Sequence, residues 1–172
     1  MAIEKDPESS NDRPKKASRP RLRPKNILVP LDMSPESIKA LKYAVPFAEQ
    51  FGAKLRTLFV VELSPLVSIT GMDYVGLTIS EQEIVKRVMT RLAAIVDLHH
   101  TEKLAIEAEV RTGKPVDEIV RYAAETDTDL IVLSTHGHSG MKRMMLGSVT
   151  EKVVRHAPCP VLVLRDKERD FV

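Results

Sequence analysis

Apolar residues along the chain fall into short continuous runs separated by stretches of helical periodicity, and this alternation predicts strands and helices in turn. Residues 26–30, NILVP, form a run of the kind buried on both sides of a sheet. Ser34, Pro35 and Glu36 follow as an N-cap, a first-turn proline and a first-turn acid, so a helix is expected from there to Phe51, stopped by Gly52. Pro46 falls inside that helix, where a kink is expected. Residues 54–61, KLRTLFVV, make a second strand. After a loop with Pro65, Gly71 and Gly76, Ser80-Glu-Gln-Glu83 has the form of a capping box and opens a helix to about His100.

Residues 104–111 alternate as a third strand, and Gly113-Lys114-Pro115 opens a helix through Glu125. Residues 129–133, DLIVL, are a fourth strand. Ser148-Val-Thr-Glu151 repeats the capping-box pattern with Ser148 as cap, for a helix to Ala157, and residues 160–165, PVLVLR, are a fifth strand. Short strands alternating with longer helices predict a single-domain α/β fold: a five-stranded, Rossmann-like parallel sheet with helices on both faces. That domain is expected over residues 25–166. Residues 1–24, with prolines at 7, 14, 20 and 24 and little apolar content, read as a disordered basic tail, or as an arm for an anionic partner. Residues 167–172 are a charged end.

Composition narrows the function classes. Aromatic residues make up 4% of the 172 residues and tryptophan is absent, so the core is aliphatic and no base-stacking surface is expected. Residues 1–25 carry eight Lys or Arg and four Asp or Glu, so the net charge of +2 leaves the rest of the chain slightly negative. Nucleic-acid binding by the folded part is not expected. No apolar run is long enough to span a membrane, and the N-terminus is too polar for a secretory signal, so a cytoplasmic protein is expected. The single cysteine, Cys159, excludes an internal disulfide; between two prolines at the start of a strand it reads as a structural thiol rather than a redox centre.

In an open α/β sheet ligands bind beyond the carboxyl ends of the strands, where strand order reverses. Three segments meet there: Pro30-Leu31-Asp32, Val60-Val61-Glu62, and the glycine-containing stretch from Ser134 to Gly147. Asp32 can accept hydrogen bonds from ribose hydroxyls, or serve as a local cap. Gly137 can let backbone N–H groups approach a phosphate, or simply supply a turn. Gly147-Ser148 leads into a helix N-terminus, which favours an anion, although a capping Ser148 would use its hydroxyl on the helix itself. Lys142 and Arg143 add positive charge or are solvated. The P-loop pattern and the G-x-G-x-x-G fingerprint are both absent.

The runs ILVPLDMS and LFVVE, the Gly113-Lys114-Pro115 turn and the long segment STHGHSGMKRMMLGSVTEKVVRHAPCPVLVLR resemble the universal stress protein family, over about residues 25–165. The resemblance implies a five-stranded fold of the adenine-nucleotide α-hydrolase-like group with strand order 3-2-1-4-5, usually dimeric. Its ATP-binding members carry G-x2-G-x9-G-[ST] after the fourth strand. Here Gly137, Gly147 and Ser148 match, while Ser134 stands where the first glycine is expected. By resemblance, Pro30, Leu31, Asp32 and Val60 line the adenosine side, and Leu133, Ser134, Gly137, Gly147, Ser148, Val149 and Thr150 surround ribose and phosphates. If the position of Ser134 requires positive φ, serine weakens binding.

His136 and His138 flank Gly137 without an apparent third ligand, so a protein-held metal is not expected, and a Mg²⁺ would arrive with ATP. The apolar strand Val161 to Leu164, at a sheet edge, is the expected homodimer contact. The functional expectation is an ATP-binding stress or signalling protein, with AMP or cyclic AMP as further ligands. A slow ATP hydrolase, with Asp32 and His136 as candidate bases, and a dimeric interaction module with an empty pocket are the competing readings.

Overall fold

The computed structural model of the chain describes residues 23–62, 80–135 and 146–165. In chain order these form β1 (Asn26–Pro30), α1 (Pro35–Phe51), β2 (Lys54–Val61), α2 (Glu81–Asp97), β3 (Ile106–Thr112), α3 (Pro115–Glu125), β4 (Leu130–Ser134), α4 (Ser148–His156) and β5 (Val161–Leu164). The strands make one parallel sheet in the order β3-β2-β1-β4-β5.

Apolar runs become strands here because both faces of the sheet are covered. Ile27, Val29, Leu55 and Val132 pack against Leu41, Ala44, Leu92 and Val96 of α1 and α2. The alternate residues Leu28, Leu58, Ile131 and Leu133 pack against Ile119, Tyr122 and Val153 of α3 and α4. Leu28, Ile131 and Val132 are fully buried, and each such side chain contributes about 1.5–3 kcal/mol relative to exposure.

Several boundaries differ from the sequence reading for identifiable reasons. β3 starts at Ile106, because Leu104 pairs with Thr101 in an isolated antiparallel bridge instead of joining the sheet. β4 starts at Leu130, because the Asp129 carboxylate accepts the Lys25 and Asn26 N–H groups, at 2.7 and 2.9 Å. α2 ends at Asp97 with Leu98 as its cap, short of His100. α1 runs through Pro46 unbroken and stops at Gly52, whose φ of 64° allows its N–H to reach the Ala48 and Glu49 carbonyls.

The turn before α3 requires glycine on two counts. Gly113 has φ 148°, and a Cβ there would stand 2.7 Å from the Glu118 Oε1. Glu118 is buried and ion-paired with Arg111 and Arg121, so its carboxylate cannot move aside cheaply. This packing fixes the start of α3, which forms one wall of the cleft described next.

Candidate functional site

The chain leaves β1 on one side for β2 and β3, and returns on the other for β4 and β5, so the sheet order reverses between β1 and β4. A cleft of about 310 Å³ opens there, a volume within the range of small-ligand pockets. Ten of the residues expected from the sequence line it: Pro30, Leu31, Asp32, Val60, Leu133, Ser134, Gly147, Ser148, Val149 and Thr150. Gly137 lies outside the described residues, as do His136, His138, Lys142 and Arg143. Ser37, Leu58, Phe59, Pro115 and Ile119 also line the cleft and were not anticipated. Leu58 has a findable signal, since the β1–β2 register pairs it with Pro30. Ser37, Pro115 and Ile119 reach the cleft only through helix packing, which no local motif announces.

On the α1 side the polar group is Asp32. Its Oδ1 accepts the Ser34 N–H at 3.0 Å and the Ser34 hydroxyl at 2.5 Å, closing a turn around Met33. Met33 is a non-glycine residue at φ 63°, strained by about 1 kcal/mol or more and held by the turn and by burial of its side chain. Ser34 in turn caps α1, its Oγ accepting the Ser37 N–H at 3.2 Å. One oxygen of Asp32 thus organises the turn, and the residue also lines the cleft. Asp32 is the only charged side chain in the described lining.

The α4 side is built differently, and here the capping-box reading is corrected. Gly147, not Ser148, is the N-cap, and no side chain caps the helix. Ser148 is the first helical residue because the Gly147 N–H is already tied to the Thr135 carbonyl at 2.7 Å, which draws the helix start one residue back. The first intrahelical bond runs from Glu151 N to Gly147 O. The Ser148, Val149 and Thr150 N–H groups thus have no hydrogen-bond acceptor among the described residues, as expected for an uncapped first turn. The Thr150 hydroxyl donates to the Ser134 carbonyl at 2.9 Å, anchoring the helix start to the end of β4.

Ser134 ends β4 with its side chain and backbone 9% exposed. Met33 and Asp127 are the non-glycine residues at positive φ among those described, and Ser134 is not one of them. The position makes no conformational demand that serine fails to meet, so the strain anticipated for a glycine replacement is absent.

Among the described residues no group of His, Cys, Asp and Glu is arranged to hold a metal ion. A magnesium ion would find Asp32 alone in the described lining, with one oxygen already accepting two hydrogen bonds, so it would be held mainly by the phosphates it came with. Cys159 is half-buried against the α3–α4 core, and burial raises its thiol pKa above the usual value, with Asp129 adding to the rise. That environment suits a structural thiol. No helix among the described residues is long and apolar enough to cross a membrane.

The model of the universal stress protein family matches residues 24–165. The chain belongs to this family. A universal stress protein of Methanocaldococcus jannaschii is 34% identical over 151 residues, covering 85% of each chain. The solved structure of universal stress protein UspA from Lactobacillus plantarum is 30% identical, covers 81% of this chain and 97% of its own, and superposes with a TM-score of 0.62. Two further solved members, each 23% identical, share the fold: a universal stress protein in complex with cAMP, with 83% and 97% covered and a TM-score of 0.59, and one from Archaeoglobus fulgidus in complex with dAMP, with 80% and 95% covered and a TM-score of 0.51.

Proposed function

We propose that this universal stress protein binds an adenine nucleotide in the β1–β4 cleft and acts in stress response or signalling through nucleotide-dependent shape or partner choice. One observation carries the reading: the same cleft presents a carboxylate on its α1 side and, on its α4 side, three first-turn N–H groups without an acceptor among the described residues. The first suits sugar hydroxyls and the second suits phosphate oxygens, because unpaired N–H groups and the helix dipole both favour an anion. Apolar Pro30, Leu31, Leu58, Val60 and Ile119 supply a wall for a base. The fold holds cAMP and dAMP in two solved relatives, which supports the ligand class. ATP, with Mg²⁺ on its phosphates, AMP and cyclic AMP are all candidate ligands.

Calorimetry on the purified full chain with ATP, AMP and cyclic AMP tests the reading. Binding of at least one of them below millimolar concentration is expected; no binding by any would remove it and leave the interaction module. Turnover is not expected, since the described lining holds one carboxylate and no lysine, short of the metal-and-lysine set of phosphoryl-transfer sites. An ATP hydrolysis rate above about one per second would instead favour the hydrolase.

The reading includes a cytoplasmic homodimer through β5. The two sheet edges differ: β3 exposes Glu107 and Glu109, which discourage pairing, whereas β5 offers only half-buried Val161, Leu162 and Val163 before Leu164. A Val163→Lys variant is expected to sediment as a monomer where the wild type sediments as a dimer. Identical sedimentation of the two would exclude this edge.

A further inference from the structure

We propose that the furrow between α3 and α4 docks an acidic amphipathic helix of a partner protein, and that a nucleotide in the cleft weakens this docking. The antagonism rests on the nucleotide reading of the cleft; the docking site itself does not.

The furrow follows from how the two helices pack. Ile119, Tyr122 and Val153 turn inward to the sheet, which leaves the neighbouring rows facing outward. On α3 that row is Val116, Val120 and Ala124, spaced four residues apart and so aligned along one face. On α4 it is Val149, Lys152 and His156. The depression between them has a volume of about 800 Å³, with half-buried Val116, Val120 and Val149 as an apolar floor.

Its rim is cationic. Lys114, Arg121 and Lys152 line it and are exposed. Arg121 is held in place by the buried Glu118 carboxylate, whereas Lys114 and Lys152 have no ion pair among the described residues. An apolar floor between cations fits a helix with an apolar stripe and acidic flanks, laid into the groove. A nucleic acid fits less well: the described lining has no aromatic side chain to stack on a base, and its acids Glu62 and Asp117 repel a phosphate chain. A membrane surface takes up a protruding apolar face rather than a depression.

Pro115, Ser148 and Val149 line both the furrow and the cleft, so one wall divides the two. Phosphates on the first turn of α4 would put negative charge at that wall. Lys152 lies four residues past Ser148, about 6 Å along the helix axis. This is within the screening length of about 8 Å at physiological salt, so the phosphates repel an acidic helix held by Lys152.

The test is fluorescence anisotropy on the purified full chain, with a fluorescein-labelled helical peptide carrying leucines on one face and glutamates beside them. Binding below about 100 μM is expected, as for a small transient interface. Lys152→Glu and Val120→Ala are each expected to weaken it by about fivefold or more, with thermal melts to verify folding. Arg91→Glu, the same charge reversal at an exposed position of α2 across the sheet, should change it by less than about twofold. No binding by the wild type, equal losses in Arg91→Glu and Lys152→Glu, or equally tight binding of a scrambled peptide, single-stranded RNA or anionic vesicles would each overturn the docking site. Saturating ATP or AMP is expected to weaken the peptide by about threefold. An unchanged peptide affinity with a nucleotide that calorimetry shows to be bound would overturn the antagonism. Absence of nucleotide binding would instead remove the nucleotide reading, and the peptide result would then decide the docking site alone.

Discussion

Two helices, α1 and α4, begin at the same cleft with a serine at or beside the cap, Ser34 and Ser148, and their starts differ chemically. At α1 the chain matches most of its own donors: Ser34 caps the Ser37 N–H, Pro35 has no N–H to match, and Asp32 takes the Ser34 N–H, which leaves the Glu36 N–H. At α4 the cap is a glycine without a side chain, its N–H is spent on Thr135, and the next three N–H groups have no acceptor among the described residues. A start satisfied from within adds stability and a wall. A start left open forgoes about 0.5–2 kcal/mol of capping, which a bound anion can restore. On the proposed function α4 is the helix that faces the ligand, and the contrast can be broken at either end.

The largest expected effect is at Gly147. Its φ of −56° and ψ of 147° lie in a region open to any residue, so Gly147→Val keeps the backbone and its bond to Thr135. The branched side chain then stands at the helix start where the proposed function seats the phosphates. Nucleotide affinity is expected to fall more than about thirtyfold, over 2 kcal/mol, with a melting temperature within a few degrees of wild type. Unchanged affinity in calorimetry would mean that the phosphates are held elsewhere.

Ser34→Ala probes the satisfied start. It removes the cap on Ser37 and the hydroxyl bonded to Asp32, leaving the Ser34 N–H to hold the carboxylate. Stability by denaturant titration is expected to fall by about 1 kcal/mol. Affinity should change by less than about threefold. A large loss of affinity with no loss of stability would reverse the roles assigned to the two helix starts.

The sheet was legible in the sequence because parallel strands buried on both faces read as apolar runs, and because α1 and α2 announce themselves with serine caps that the structure contains at Ser34 and Ser80. Legibility failed where a long-range bond outranked a local pattern. Ser148-Val-Thr-Glu151 looks like a capping box, yet the carbonyl of Thr135, twelve residues earlier, takes the Gly147 N–H and makes glycine the cap. Leu104 alternates correctly for a strand, yet pairs with Thr101 instead. The cleft residues reached by motif were those on strand ends and the α4 start. Ser37, Pro115 and Ile119 were invisible because their place depends on how α1 and α3 pack, and for α3 on Glu118 lying against Gly113.

The misread residue also provides the smallest and most discriminating test. Were Ser148 a cap, Ser148→Ala would cost about 1 kcal/mol of stability, as Ser34→Ala is expected to. Because it sits inside the first turn with no capping bond, its loss is expected to leave stability within about 0.5 kcal/mol. Its hydroxyl lines the cleft beside the open N–H groups, so nucleotide affinity should still fall, by about fivefold for one hydrogen bond to phosphate. The pair of serine variants then separates the two helix starts: stability without affinity at α1, affinity without stability at α4. Equal stability losses in both would restore the capping box and close the α4 start to an anion.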